Sequence, residues 1–110
     1  MTPSARYESL VKTILSESRF AKIGEGKGFG KGFGWKGELK VDGRIFAMLV
    51  KGRLVLKLPA DHVAALVDSG DGEHFDAGKG RPMREWLALS PTSHKSWLAL
   101  AREAMAFVSR

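Results

Sequence analysis

A direct repeat of lysine, glycine and phenylalanine contains the residues that could bind a ligand most directly. Lys27-Gly28-Phe29-Gly30 is followed by Lys31-Gly32-Phe33-Gly34 and then by Trp35-Lys36-Gly37. Lysines pair with phosphates, and aromatic rings stack on bases. The repeat therefore favours nucleic-acid binding by exposed rings and cations. The alternative is a strand whose aromatic residues pack under helices, because residues at a period of two share one face.

The positive charge of the chain is concentrated around this repeat. The 110 residues include 18 Lys and Arg against 12 Asp and Glu, a net charge of +6. Residues 19–57 hold ten basic and three acidic residues, so this stretch carries +7 and the remainder −1. A concentrated basic patch is typical of proteins that bind a phosphate backbone, although a solvated surface has the same composition. The predicted nucleic-acid-binding residues are Lys27, Phe29, Lys31, Phe33, Trp35, Lys36, Arg44, Lys51 and Arg53.

The residue types give little support for catalysis, metal binding or dinucleotide binding. The chain has no cysteine, which excludes disulfides, thiolate metal sites and cysteine nucleophiles. His62, His74 and His94 have no metal-ligand spacing, and no serine lies in a G-x-S-x-G elbow. Gly32–Gly37 matches G-x-G-x-x-G, but strands rather than a helix follow it, which argues against a dinucleotide site. We expect no enzyme activity, no cofactor and no metal.

The sequence also predicts where the chain resides. No apolar run approaches the roughly 20 residues that a membrane span needs, and residues 1–12 lack the apolar core of a signal peptide. We therefore expect a soluble, cytoplasmic protein with no membrane partner.

The elements that must position the basic residues follow from periodicity. Thr2 before Pro3 predicts the start of a helix, with apolar residues at helical spacing up to residue 18. Three strands then follow, at residues 38–41, 45–50 and 53–58. Asp42-Gly43 and Lys51-Gly52 predict tight turns between them, so these strands form an antiparallel meander with one buried face.

The second half returns to helices. Residues 60–69 predict a short helix, Phe75 marks a short strand, and residues 83–89 predict a further strand. Thr92 or Ser93 caps a final helix that ends near Val108. The chain is thus predicted to be one α+β domain, residues 1–110, with an antiparallel sheet of about five strands and terminal helices packed on it.

Four segments resemble a known family. Residues 43–50 (GRIFAMLV) and 52–58 (GRLVLKL) are similar to the core of the TfoX/Sxy N-terminal domain, with the MmcQ/YjbR group also close. Residues 75–86 resemble the family's segment into its last strand, and residues 97–104 resemble its closing helix. The resemblance implies an α+β domain with terminal helices against a curved antiparallel sheet of about five strands.

The family includes regulators of natural competence and proteins proposed to bind DNA through paired wings. The competence regulators carry a second, C-terminal domain, which we do not expect here, so competence regulation is not implied. The resemblance supplies no catalytic residues. We therefore expect a small, non-enzymatic domain that binds DNA or RNA with little sequence preference, or a regulatory protein. The alternative is a protein-interaction module, a homodimer or a regulatory partner, with no nucleic-acid binding.

Overall fold

Within the residues that the structure describes, the fold consists of a six-stranded antiparallel sheet and three helices. The computed structural model of the chain describes residues 2–24, 35–76 and 83–109. The strands lie in the spatial order β1-β2-β3-β4-β6-β5, and every neighbouring pair is antiparallel. This confirms the predicted α+β class, with six strands where about five were expected. The elements are α1 (Pro3–Glu17), β1 (Ala21–Ile23), β2 (Trp35–Val41), β3 (Arg44–Val50), β4 (Arg53–Lys57), α2 (Ala60–Asp68), β5 (Gly72–His74), β6 (Trp86–Leu89) and α3 (Trp97–Val108).

The first helix begins where its sequence signals place it. The Thr2 hydroxyl accepts a hydrogen bond from the Ala5 N–H at 3.1 Å, and proline occupies the first turn. Both features satisfy the start of a helix, whose first N–H groups have no partner within the helix. Tyr7, Leu10 and Ile14 are the buried residues of α1. Their spacing gives the helix one apolar face against the sheet.

Two tight turns build the central meander. Asp42 and Gly43 have φ values of 53° and 74°, and Lys51 and Gly52 have φ values of 50° and 80°. Two successive positive φ angles produce the turn whose twist suits a two-residue hairpin. The predicted turns at these positions are therefore confirmed, and they set the register of β2, β3 and β4.

The final helix begins later than predicted. Ser96 is its cap, accepting from the Ala99 N–H at 3.1 Å, so the prediction of Thr92 or Ser93 is wrong. Ser93 instead donates to the Asp71 carboxylate at 2.8 Å and accepts from the Lys95 N–H. Thr92, Ser93 and Ser96 all carry hydroxyl groups and precede this helix. The hydroxyl of Ser93 bonds to Asp71, which is distant in the sequence, and Ser96 serves as the cap.

Both faces of the sheet are buried near its centre. All three helices contribute to one apolar cluster, which includes Leu54 and Leu56 of β4. Val55 points to the opposite face and is 1% exposed, in a second cluster with Met48, Val50, Phe75, Trp86 and Ala88. The prediction of one buried face was therefore wrong. Arg53 and Lys57, on either side of Val55, made that face look solvated in the sequence.

Two glycines lie at close contacts beside the β1–β2 pairing. A Cβ on Gly24 would lie 1.8 Å from the Glu38 carboxylate, so that side chain would have to move. Gly37 has a φ of 96°, and a Cβ there would lie 2.5 Å from the Gly24 carbonyl oxygen. A side chain at Gly37 would therefore displace the facing backbone. The Tyr7 hydroxyl donates to the Gly37 carbonyl at 2.9 Å, so α1 is anchored to the same point.

A buried carboxylate lies beside this contact. Glu38 is 2% exposed, and its Oε2 atom has no hydrogen-bond partner. Burial raises the pKa of Tyr7 well above its usual range, and the negative charge of Glu38 raises it further. Tyr7 therefore remains protonated and donating in the folded protein at any pH where the fold persists.

Tyr7→Phe is expected to lower the free energy of unfolding at pH 7 by about 1–3 kcal/mol, because the buried Gly37 carbonyl loses its donor. Above about pH 10 the unfolded wild-type tyrosine ionises while the folded one cannot. Wild type therefore loses stability as pH rises further, and the gap between the two proteins narrows. Urea unfolding monitored by circular dichroism at several pH values measures this difference.

Tyr7 is the only tyrosine of the chain, so ultraviolet absorbance of tyrosinate provides an independent check. We expect tyrosinate to appear together with unfolding. Tyrosinate that forms near pH 10 in the folded protein would contradict the buried, donating hydroxyl.

Candidate nucleic-acid interface

The predicted repeat lies largely outside the described residues. Lys27, Phe29, Lys31 and Phe33 all fall in the stretch from 25 to 34. The structure describes the backbone of residues 35 and 36 at the start of β2, where Trp35 pairs with Leu49, but not their side chains. The roles of these six residues, Lys27, Phe29, Lys31, Phe33, Trp35 and Lys36, stay predictions.

Arg44, another predicted phosphate contact, lies on the helix side of the sheet. It pairs in register with Val41, a core residue. Its Nη1 atom lies 3.5 Å from the carbonyl oxygen of Val108, at the end of α3. A cation at this position stabilises the negative end of the helix dipole. Arg44 therefore has a structural contact that its sequence position did not indicate.

Lys51 and Arg53 line a cavity of about 310 Å³. Its floor is apolar, formed by side chains such as Val55 and Phe75, and its rim also includes Glu73 and Asp76. Among the described lining residues, two cations and two carboxylates carry the charge. We refer to this site as the mixed-charge cavity.

The Arg53 guanidinium is engaged within the protein. Its Nε donates to the Leu89 carbonyl at 3.1 Å and its Nη2 to the Ala88 carbonyl at 3.0 Å. Its Nη1 forms an ion pair with Glu73 at 2.5 Å. The side chain thus links β4 to β6 and β5. Arg53 has the contacts of a structural brace, and a phosphate would have to compete with them.

A second cavity, also of about 310 Å³, has a different charge. It lies at the other end of the sheet and is lined by Arg19, Phe20, Lys22, Lys40, Asp42 and Gly43. Among the described lining residues, three cations face one carboxylate, a net charge of +2. We refer to this site as the basic cavity. A surplus of cations is the feature that binding to a phosphate backbone requires.

Strand pairing assembles the basic cavity. Ala21 of β1 pairs with Val41 of β2, and both side chains are buried in the helix-side core. Successive side chains of a strand point to opposite faces, so Lys22 and its register partner Lys40 both point away from the helices. Arg19 and Phe20 form the turn that precedes β1.

The cations of the basic cavity lack acidic partners within the described ranges. The ion pairs there join Arg53 to Glu73, Lys57 to Glu85, His62 to Glu103 and Arg102 to Glu17. Lys22 of β1 and Lys40 of β2 instead lie directly opposite each other on adjacent strands. Like charges directly opposite in a sheet are destabilising. A polyanion on this surface would remove that repulsion.

Sequence reasoning counted Arg19, Lys22 and Lys40 in the basic stretch but did not assign them to the site. It missed Phe20 entirely. The missing information was β1, a strand of three residues with only one buried side chain. The available signal was the order Arg19-Phe20-Ala21-Lys22, in which cations flank an aromatic residue beside a small apolar one.

The described residues show no alternative reactive centre. Among them, no group of three or more His, Asp or Glu side chains is placed to hold a metal ion. His62 contacts Glu103 at 2.6 Å and connects α2 to α3. The Asp71 carboxylate accepts hydrogen bonds from the hydroxyls of Ser69 and Ser93, which lowers its pKa. The backbone of Asp71 forms hydrogen bonds to Leu66 near the end of α2 and to Ser90.

Comparison with known proteins gives no match. No family model, no curated protein and no solved structure is similar to this chain at a significant level. The resemblance to the TfoX/Sxy N-terminal domain stays a prediction. In the described part of the chain, no helix is both long enough and apolar enough to cross a membrane.

Arg53→Gln is expected to lower the free energy of unfolding by about 1.5–3 kcal/mol, because charge-assisted bonds to two backbone carbonyls are lost. Lys51→Gln removes the same charge two residues away at an exposed turn. It should change stability by less than about 0.5 kcal/mol. Urea unfolding of the two variants measures both values, and equal stability would contradict the role of Arg53 as a brace.

Proposed function

We propose that this chain is a small, non-enzymatic domain that binds nucleic acid with little sequence preference. The observation that carries the proposal is the basic cavity, where Arg19, Lys22 and Lys40 converge without acidic partners among the described residues. Lysine and arginine neutralise phosphates and release the counterions that surround a nucleic acid. The cavity therefore supports binding to the sugar–phosphate backbone.

Low sequence preference follows from the kind of contact. Contacts to phosphates position a protein but carry no direct information about base identity. The basic cavity lies on a sheet surface and at the turns beside it, so the lysines approach the ligand as point charges on flexible stems. The roles predicted for Lys27, Lys31 and Lys36 belong to the same proposal, and these side chains lie outside the described residues.

The proposal includes a relationship to the TfoX/Sxy N-terminal domain. Terminal helices against an antiparallel sheet, the architecture that this resemblance implies, also describe this fold. Members of that family proposed to bind DNA do so through wings. Here the basic cavity lies where β1, β2 and the β2–β3 turn meet, which supports DNA binding by an edge of the sheet.

A homodimer through the sheet edge is the second candidate. Among the described strands β1 lies at one edge, and Ile23 is 42% exposed there. However, Lys22 is the central residue of β1, so antiparallel self-pairing about the strand centre would set Lys22 against its own copy. Lysine on an edge strand is a device that prevents such pairing. Charge therefore favours a polyanion over a second copy.

Replacing the three cations with glutamine (Arg19→Gln, Lys22→Gln, Lys40→Gln) tests the function. Fluorescence anisotropy with a labelled DNA duplex at about 50–200 mM salt gives the slope of log K against log salt. For duplex DNA each lost phosphate contact makes this slope less negative by about 0.9. We expect the triple variant to lose about 2.7 from the magnitude of the slope and at least tenfold in affinity at the lower salt.

The matched control removes three exposed cations elsewhere: Lys12→Gln, Arg84→Gln and Lys95→Gln. It has the same net charge as the test variant. If both variants bind equally well, the effect is one of total charge and the basic cavity is not the site. If wild type binds no duplex, single-stranded DNA or RNA at the lower salt, the proposed function is wrong.

A further inference from the structure

One side chain in the basic cavity is not explained by phosphate binding. Phe20 is 67% exposed, the most exposed large apolar side chain of the described residues. It lines the basic cavity together with Lys22 and Lys40, and Arg19 precedes it directly. Its N–H bonds to the Ser18 hydroxyl at 3.2 Å, so its backbone is held by the turn. An exposed aromatic ring among cations offers a face on which a planar ligand group can stack.

We propose that the ligand is single-stranded nucleic acid, with one base stacked on Phe20 and the adjoining phosphates at Arg19, Lys22 and Lys40. This inference rests on the proposed function and specifies its substrate class. Exposed aromatic rings within a positively charged groove are the means by which proteins bind single strands. A base in a duplex is already stacked on both faces, so it offers no face to Phe20.

Asp42 sets the electrostatic limit of the cavity. It is the carboxylate among the described lining residues, and it lies exposed in the turn between β2 and β3. A carboxylate repels phosphate, so its removal should strengthen binding.

The test compares labelled oligonucleotides of equal length and mixed sequence: a single strand and a duplex. Wild type should bind the single strand more tightly than the duplex. Phe20→Ala should weaken single-strand binding by about 5- to 150-fold, the loss expected for one stacked base, and change duplex binding less than twofold. Phe20→Trp, which retains a stacking ring, should bind the single strand at least as well as wild type.

The control is Ile23→Ala, which removes the other exposed apolar side chain of this edge. It should leave single-strand binding within about twofold of wild type. Asp42→Gly suits the positive φ at this turn and removes the carboxylate. We expect it to bind the single strand more tightly than wild type, because a negative charge is lost.

The outcomes separate this inference from the proposed function. Salt-dependent binding with equal affinity for duplex and single strands, unchanged by Phe20→Ala, would overturn stacking on Phe20 but retain a phosphate-binding surface. Equal losses for duplex and single strands with Phe20→Ala would also overturn stacking. Absence of binding to every oligonucleotide would overturn both proposals.

Discussion

The burial of Ala21 opposite Val41 fixes the direction in which the cations of the first two strands point. Both side chains pack into the core beneath α1, so the alternate residues Lys22 and Lys40 must face the other side. A shift of β1 by one residue against β2 would expose Ala21 and turn Lys22 toward the core. The arrangement of the basic cavity is thus a direct consequence of core packing on the opposite face of the sheet.

Close contact at Gly24 and Gly37 also holds the register between β1 and β2. A side chain at Gly37 would displace the facing backbone of Gly24, and Tyr7 binds the Gly37 carbonyl from the helix layer. The Glu38 Oε2 atom has no hydrogen-bond partner among the described residues. This contact therefore lowers the stability of the fold, since a buried carboxylate without a partner is unfavourable. The glycines at either end of the β1–β2 connection therefore have a structural role distinct from that of the repeat between them.

The two cavities have equal volumes but differ in how their cations are paired. Each has a volume of about 310 Å³. In the mixed-charge cavity, Arg53 bonds to Glu73 and to the carbonyls of β6, which stabilises the sheet. In the basic cavity, Lys22 and Lys40 lie opposite each other, a like-charged pair that is unfavourable without an anion. Pairing of the cations, rather than volume, distinguishes the candidate interface from the brace.

Local signals predicted the parts of the fold that depend on neighbouring residues. Thr2 and Pro3 indicated the start of α1, and Asp42-Gly43 and Lys51-Gly52 indicated the hairpins. β1 could not be predicted, because three residues with one buried side chain acquire their conformation from pairing with β2. The basic stretch located the charge along the chain. Strand register decides which of these cations lie together at one surface. Carbonyl groups distant in the sequence decide which cations form hydrogen bonds within the protein, as Arg53 does.

The most direct test of the central claim is a titration of the ¹⁵N-labelled protein with a short single-stranded DNA, followed by amide chemical shifts. The account predicts salt-sensitive shifts at residues 19–23 and 39–43, which surround the basic cavity, and little change at residues 51–53 and 72–76. Shifts centred on the mixed-charge cavity, or binding that leaves residues 19–23 unchanged, would contradict it.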